Sequence, residues 1–228
     1  MSLDLISVHK SFGDRTVLNN FFLSVDPGAI TCLFGPSGCG KTTLLNLMGG
    51  VIQPDSGSVS GFASEKKSYI FQETRILPWK TVLQNVVFPL VDLMPVKAAM
   101  DHAREFISLV GLEKEEQFYP GQLSGGMKQR VSIARAFAYP GTLILMDEAF
   151  QSLDSYLKYN ILTSFKKIWE KDRRTVVFVT HDIDEALFLG QKVVILGESP
   201  VKAVKIFENN GTDEVNLKSS ILSFLNLP

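Results

Sequence analysis

Gly35-Pro36-Ser37-Gly38-Cys39-Gly40-Lys41-Thr42-Thr43 decides how the rest of this chain is read. The stretch fits the phosphate-binding pattern G-x-x-x-x-G-K-[ST] at every fixed position. Its setting suits that chemistry. Ile30-Thr31-Cys32-Leu33-Phe34 before it is an apolar run that reads as a buried strand, and residues 42–48 after it read as a helix ended by Gly49-Gly50. The glycines let the backbone curl until several N–H groups point at one spot. The helix N-terminus adds partial positive charge there. Lys41 supplies a full charge for outer phosphates, and the Thr42 hydroxyl is placed to reach Mg²⁺.

The bulk properties narrow the class. The chain has 228 residues, 45% of them hydrophobic, and a formal net charge of −1. That length supports a substantial core in one domain, or in one domain with a subdomain. Dispersed charge of this balance argues against a protein held to nucleic acid or lipid mainly by electrostatics. No apolar run reaches the roughly 18–20 residues of a membrane span. Met1-Ser2-Leu3-Asp4-Leu5 carries an acid where a secretory signal is basic, so the expected location is the cytoplasm. The two cysteines, Cys32 and Cys39, lack metal-ligand spacing and suggest no disulfide framework. Cys39 has two readings: a thiol activated by the helix N-terminus, or a small side chain in a tight loop. The second is preferred.

Working outward, residues 3–25 alternate apolar and polar around turns at Ser11-Phe12-Gly13-Asp14 and Asp26-Pro27-Gly28, which predicts antiparallel strands. Pro54-Asp55-Ser56-Gly57 predicts a turn, followed by short strands at 58–61 and 68–71. Residues 72–138 have a helical texture. A helix is predicted over 96–110, with Ala99, Ala103, Phe106, Leu109 and Val110 as its apolar face and Gly111 as its cap, and another over 125–138. Core strands resume at 143–146 and 175–180, with helices at 155–171 and 182–189. Final strands are predicted at 192–196 and 201–207, with a short helix at 219–225. Strands alternating with helices imply a mostly parallel sheet, whose ligands sit past the carboxyl ends of strands. The glycine loop, Gln72, Asp147-Glu148 and His181 all fall at such ends.

Asp147 and Glu148 end the apolar run Leu143-Ile144-Leu145-Met146. Two carboxylates at a strand tip suit a metal or a proton. Asp147 is a Mg²⁺ partner for Thr42, and Glu148 a group that polarises an attacking water. Two acids that merely open a loop and cap the next helix are the alternative. His181 follows the strand in Val179-Thr180-His181-Asp182, where a lone histidine is often a cap or turn residue. Leu123-Ser124-Gly125-Gly126-Met127-Lys128-Gln129-Arg130 is a second strong signal. Ser124 is suited to cap a helix whose first turn is made of glycines, which builds another anion site. One nucleotide held by one subunit needs only one such helix end. The economical explanation is that Ser124, Gly125 and Gly126 meet a nucleotide held by another subunit.

With these motifs assembled, the chain resembles the ATP-binding-cassette (ABC) family over nearly its whole length. Gly35 to Thr43 stand as Walker A, Gln72 as the Q-loop glutamine, Leu123 to Gln129 as the signature, and Leu143 to Glu148 as Walker B. Leu153-Asp154 matches the D-loop and His181 the switch histidine. The resemblance implies an α/β fold: a P-loop NTPase core with a mixed, mostly parallel sheet, an antiparallel β subdomain and a helical insert. It implies a single ABC ATPase domain over 1–228, with 1–72 and 139–228 as the core and 73–138 as the helical subdomain. Two such subunits would clamp two ATP molecules head to tail. Gly35, Pro36, Ser37, Gly38, Cys39, Gly40, Lys41, Thr42 and Thr43 would hold the phosphates and Phe12 would stack on adenine. Ser124, Gly125 and Gly126 would complete the site of the other subunit. Thr42 and Gln72 would coordinate Mg²⁺ with Asp147 behind. Glu148 would be the general base, His181 would hold the γ-phosphate and the water, and Lys41 and Gln72 would complete the catalytic set. Phe12 stands where tyrosine is usual, Met127 where glutamine is usual, and Ala149 and Gln151-Ser152 where proline and small residues are usual.

One cassette without membrane spans or a heptad run fits a separate membrane partner. The segment Arg75-Ile76-Leu77-Pro78-Trp79-Lys80-Thr81-Val82-Leu83-Gln84-Asn85-Val86 mixes apolar residues with a Pro-Trp turn, and in the family this surface receives a helix of the permease. The alternative is that Trp79 only seals the insert against the core. The phrasing around Pro78-Trp79, with Met127, looks like the nitrate, sulfonate and taurine importer branch. The resemblance thus implies an ATP-hydrolysing importer subunit, peripheral on the inner face of the membrane and served indirectly by a solute-binding protein. The runner-up is a cassette powering a non-transport membrane complex of cell-division or lipoprotein-release type.

Overall fold

The computed structural model describes residues 3–151, 155–197, 199–201, 203–209 and 214–224. The Leu153-Asp154 motif therefore lies outside the described residues. The strands are β1 (Leu3–Phe12), β2 (Arg15–Val25), β3 (Ile30–Phe34), β4 (Ser56–Ser60), β5 (Lys67–Ile70), β6 (Leu143–Asp147), β7 (Thr175–Thr180), β8 (Lys192–Leu196) and β9 (Ala203–Glu208). The helices are α1 (Lys41–Gly49), α2 (Val82–Val87), α3 (Val96–Leu109), α4 (Gly125–Ala138), α5 (Ser155–Asp172), α6 (Ile183–Leu189) and α7 (Glu214–Phe224). None of these helices is long and apolar enough to cross a membrane. The α/β class with parallel strands, an antiparallel sheet and a helical region is the one expected.

The chain forms two compact units. The first comprises residues 1–65 and 175–228. In it, β3 runs parallel to β7 on one side and β8 on the other, and β9 adds antiparallel to β8. All of β3 and β7 is buried, which explains their largely apolar sequences. Leu44, Leu45, Leu47 and Met48 bury the inner face of α1. Each such side chain withdrawn from water is worth about 1.5–3 kcal/mol. A separate antiparallel sheet has the order β2-β1-β4. Buried Leu3 and Leu5 keep the two-residue period of a half-buried strand, and an irregularity between Leu5 and Val8 shifts it by one residue before Val8 is buried again.

The second unit comprises residues 66–174. Here β5 and β6 pair in parallel, Ile70 opposite Met146. Helices α2, α3 and α4 pack on one another. Arg130 of α4 donates to the carbonyls of Val110 at 3.0 Å and Gly111 at 3.2 Å, satisfying the end of α3. Phe137 and Phe150 both meet Phe165 edge to face, with ring centres 5.0 and 6.2 Å away. Three expectations change. Helix α2, not foreseen, starts at a Thr81–Gln84 capping box. The inner face of α3 is Ala99, Ala103 and Ile107, while Leu109 is exposed. In the first unit, α7 begins five residues before the predicted start at 219, at Glu214, and the end predicted at 225 lies outside the described residues.

Candidate functional site

In the first unit, Phe34 pairs with Thr180, so the glycine loop and His181 leave neighbouring parallel strands at the same carboxyl end. Gly40, with φ 117 and ψ 13, turns the loop into α1 and makes no side-chain cap. The first-turn N–H groups of α1 have no acceptor within the helix. A Cβ on Gly40 would lie 2.7 Å from Val17 Cγ1 and 3.0 Å from Val201 Cγ2, so only glycine fits. Lys41 is 4% exposed, and its ammonium donates to the carbonyls of Gly35 and Pro36, each at 2.9 Å. Pro36, Ser37, Gly38 and Thr42 are exposed, so the loop presents backbone and a hydroxyl to solvent. Bare N–H groups, one ammonium and an exposed hydroxyl are the donor set a polyphosphate requires.

The loop is tied to the β1–β2 hairpin. Arg15 donates to the Gly38 carbonyl at 2.9 Å, and Arg15 pairs across the turn with Phe12. The Phe12 ring is 51% exposed and carries the Lys10 ammonium 5.5 Å from its centre. An aromatic face beside a phosphate cradle is what an adenine needs. Sequence reasoning named Phe12 but not Arg15, whose partner is visible only in the fold. The Cys39 thiol is buried, and that burial raises its pKa. The Cys32 thiol is raised too, by burial first and then by the Glu185 carboxylate. Neither is an activated nucleophile, as the preferred reading holds.

His181 is exposed on a turn pinned from both sides. The Thr180 hydroxyl donates to Glu185 at 2.6 Å and accepts from the Asp182 N–H at 3.0 Å. Asp182 accepts from the N–H groups of Asp184 and Glu185, capping α6. The cap role therefore belongs to Asp182, and the imidazole projects from a held backbone.

In the second unit, Gln72 and Glu148 follow the ends of the paired strands β5 and β6. Asp147 and Glu148 are half-buried and Gln72 is exposed. Glu148 has φ 44, a left-handed conformation unusual for a residue with a Cβ. Such a backbone stores about 1–3 kcal/mol and is held only where its surroundings determine it. Here buried Ala149 and Phe150 follow it, and the Gln151 N–H closes the turn on the Glu148 carbonyl at 3.2 Å. The Gln72 amide donates to Gln151 Oε1 at 2.5 Å. Asp147 also acts on its surroundings, since burial first and then its charge push the Tyr69 phenol well above its ordinary range.

Ser124 caps α4, accepting from the Met127 N–H at 3.3 Å. Ser124 and Gly125 are exposed and Gly126 is buried. An exposed hydroxyl at a glycine-made helix start is a local geometry that can receive an anion. Arg135, in the last turn of α4, donates to the carbonyls of Arg75 at 3.1 Å and Thr74 at 3.3 Å. It thereby fixes the segment that follows Gln72.

In the first unit the Thr42 hydroxyl, and in the second the Gln72 carboxamide and the Asp147 carboxylate, are each hard oxygen donors of the kind Mg²⁺ takes. No cluster of three His, Cys, Asp or Glu that would hold a metal by itself exists among the described residues.

Comparison with known proteins follows the same lines. The sequence profile of the ABC transporter family matches residues 18–151. An uncharacterized ABC transporter ATP-binding protein of Methanocaldococcus jannaschii is 40% identical over 211 residues, 89% of this chain and 79% of that protein. The aliphatic sulfonates import ATP-binding protein SsuB of Bacillus cereus is 38% identical over 218 residues, 92% of this chain and 86% of that protein. Among solved structures, a dimeric bacterial ABC transporter cassette matches with TM-score 0.80 at 31% identity, covering 92% of this chain and all of that one. A dimeric post-hydrolysis cassette bound to ADP and Pi matches with TM-score 0.79 at the same identity and coverage.

Proposed function

This chain belongs to the ABC transporter family and is one of its ATPases, and from that premise we propose that it is the ATP-hydrolysing subunit of an importer. A relative that imports aliphatic sulfonates supports a solute of the nitrate, sulfonate or taurine type. In this reading Lys41 and residues 35–43 hold the phosphates, and Phe12 stacks on the base. Thr42 and Gln72 ligate Mg²⁺ with Asp147 behind. When bound, Mg²⁺ neutralises charge on the terminal phosphates. Glu148 takes a proton from the attacking water, and His181 holds the γ-phosphate. Ser124, Gly125 and Gly126 act on the nucleotide of a second copy, as dimeric relatives of known structure support.

The observation that carries the transport reading is an unpartnered apolar surface in the second unit. Trp79 is 69% exposed, so it does not seal a core. Phe88, Val91, Leu93 and Val96 are exposed after it. Beside Phe88 and Pro89 lies an open groove of about 300 Å³, also lined by Tyr69, Arg135 and Tyr139. Fully buried Asn85 holds the Pro-Trp turn, donating to the carbonyls of Leu77, Lys80 and Thr81 and accepting from the Leu77 N–H. By contrast Val82, Leu83 and Val86 point inward. The permease contact therefore falls on the outward part of residues 75–86 and continues to Val96. Residues 73–138 form the helical subdomain that carries it, 1–72 and 139–228 form the catalytic core, and the subunit works on the inner face of the membrane.

Co-purification from membranes tests this. The unchanged chain should retain permease subunits, while Trp79→Ala should lose most of them and keep its affinity for ATP. Association with a cell-division or lipoprotein-release complex instead would reassign the cassette to non-transport work.

A further inference from the structure

The turn after Glu148 carries a residue that the functional reading does not use. Gln151 closes that turn through its N–H, and through its side-chain oxygen it accepts from the Gln72 amide at 2.5 Å. A carboxamide has one end that ligates a cation and one that does not. Its oxygen is a hard donor, whereas its NH₂ only donates hydrogen bonds. A partner on the NH₂ end fixes the amide plane and leaves the oxygen to the metal. Both ends of the link are anchored. Phe150, 1% exposed and edge-on to Phe165, holds the Gln151 turn, and Arg135 holds the backbone at Thr74 and Arg75.

We propose that Gln151 is a positioning residue that orients the Gln72 oxygen toward the nucleotide-bound divalent cation. The proposal rests on the reading of Gln72 as a metal ligand given above. It assigns a purpose to the glutamine standing where the family has a small residue. In this role Gln151 acts only through Gln72, its side-chain partner.

The test compares the affinity of the full chain for adenylyl imidodiphosphate by calorimetry, once with Mg²⁺ and once with EDTA. The ratio of the two constants is the gain due to the metal. Gln151→Met removes the acceptor at an exposed position with little change in shape. It should cut that gain about two- to tenfold, the range one net hydrogen bond supports, and leave the EDTA affinity unchanged. Gln151→Glu keeps an acceptor oxygen and should hold the gain at or above that of the unchanged chain. In a Gln72→Ala background, Gln151→Met should have no further effect. An unchanged gain in Gln151→Met, a loss in Gln151→Glu equal to that in Gln151→Met, or an equal loss without Gln72 overturns the proposal. If Gln72→Ala alone leaves the gain intact, the metal-ligand reading of Gln72 fails first.

Discussion

Replacing Gly40 by alanine separates the two reasons for a glycine in the phosphate loop. Gly40 has φ 117, well outside the left-handed well that other residues occasionally visit. The backbone strain is about 2–3 kcal/mol. The new Cβ also meets Val17 Cγ1 at 2.7 Å and Val201 Cγ2 at 3.0 Å, and displacing two packed methyl groups adds about 1–2 kcal/mol. The sum is a loss of about 3–5 kcal/mol. Gly38 is the internal control. It has φ 75 with nothing within 4 Å of an added methyl, so Gly38→Ala carries the backbone strain alone, about 1 kcal/mol. In thermal unfolding a domain of this size loses about 2–4 °C per kcal/mol. Gly40→Ala should therefore melt about 6–20 °C lower, and Gly38→Ala about 2–4 °C lower. Urea midpoints at unchanged slope provide the independent measure. Equal losses in the two variants, or a gain in Gly40→Ala, would falsify the account of the loop.

Glu148→Gln preserves the turn and removes the base, so turnover should fall about 10²–10⁴-fold while ATP binding persists and an ATP-bound dimer accumulates in gel filtration. Normal hydrolysis by that variant would remove Glu148 from the catalytic role. Ser124→Arg deletes the α4 cap, for about 1 kcal/mol of stability, and should block hydrolysis while each copy still binds ATP. Intact activity there would sink the shared-site reading. Asp55 takes a hydrogen bond from Lys10 at 2.6 Å and from the Ser11 N–H at 2.7 Å, which hold its carboxyl below the ordinary range. A folded-state value lowered in this way stabilises above the unfolded value and is lost as pH falls through the folded one. Asp55→Asn should therefore flatten the acid limb of stability against pH, which lies below the ordinary carboxyl value, and leave the alkaline limb in place, as unfolding followed from pH 2 to 9 would record.

The parallel strands and the glycine loop were legible because their causes are local. A strand buried on both faces reads as a near-continuous apolar run, and β3 and β7 do so apart from Thr31 within β3 and Thr175 and Thr180 at the ends of β7. The bounds of α4 were legible for the same reason, since Ser124 caps its first turn and Ala138 ends it. Helix α2 was not, because its six residues bury Val82, Leu83, Asn85, Val86 and Val87 on nearly every side, and no amphipathic period survives. The Thr81–Gln84 capping box was the signal available. In α3 the inner positions run Ala99, Ala103, Ile107, a strict four-residue spacing that leaves Leu109 outside.

At the site, residue types at strand ends were readable, but their partners were not. Arg15 meets a carbonyl 23 residues away, Arg135 one 60 away, and Gln151 an amide 79 away. No local pattern encodes such pairs. The departures at Ala149 and Gln151 show what this separation means. Read as sequence, they are only unusual residues beside a carboxylate. In the fold, Ala149 and Phe150 are buried, Phe150 rests on Phe165, and Gln151 extends from that fixed point to Gln72. A strained backbone at Glu148 persists only if its neighbours hold it, and these residues are the neighbours. The turn that aims the proposed base also carries the side chain that orients the proposed metal ligand. A substitution at Phe150, which anchors the turn, should therefore act on both at once, whereas one at Gln151, whose backbone N–H still closes the turn, should act through Gln72 alone.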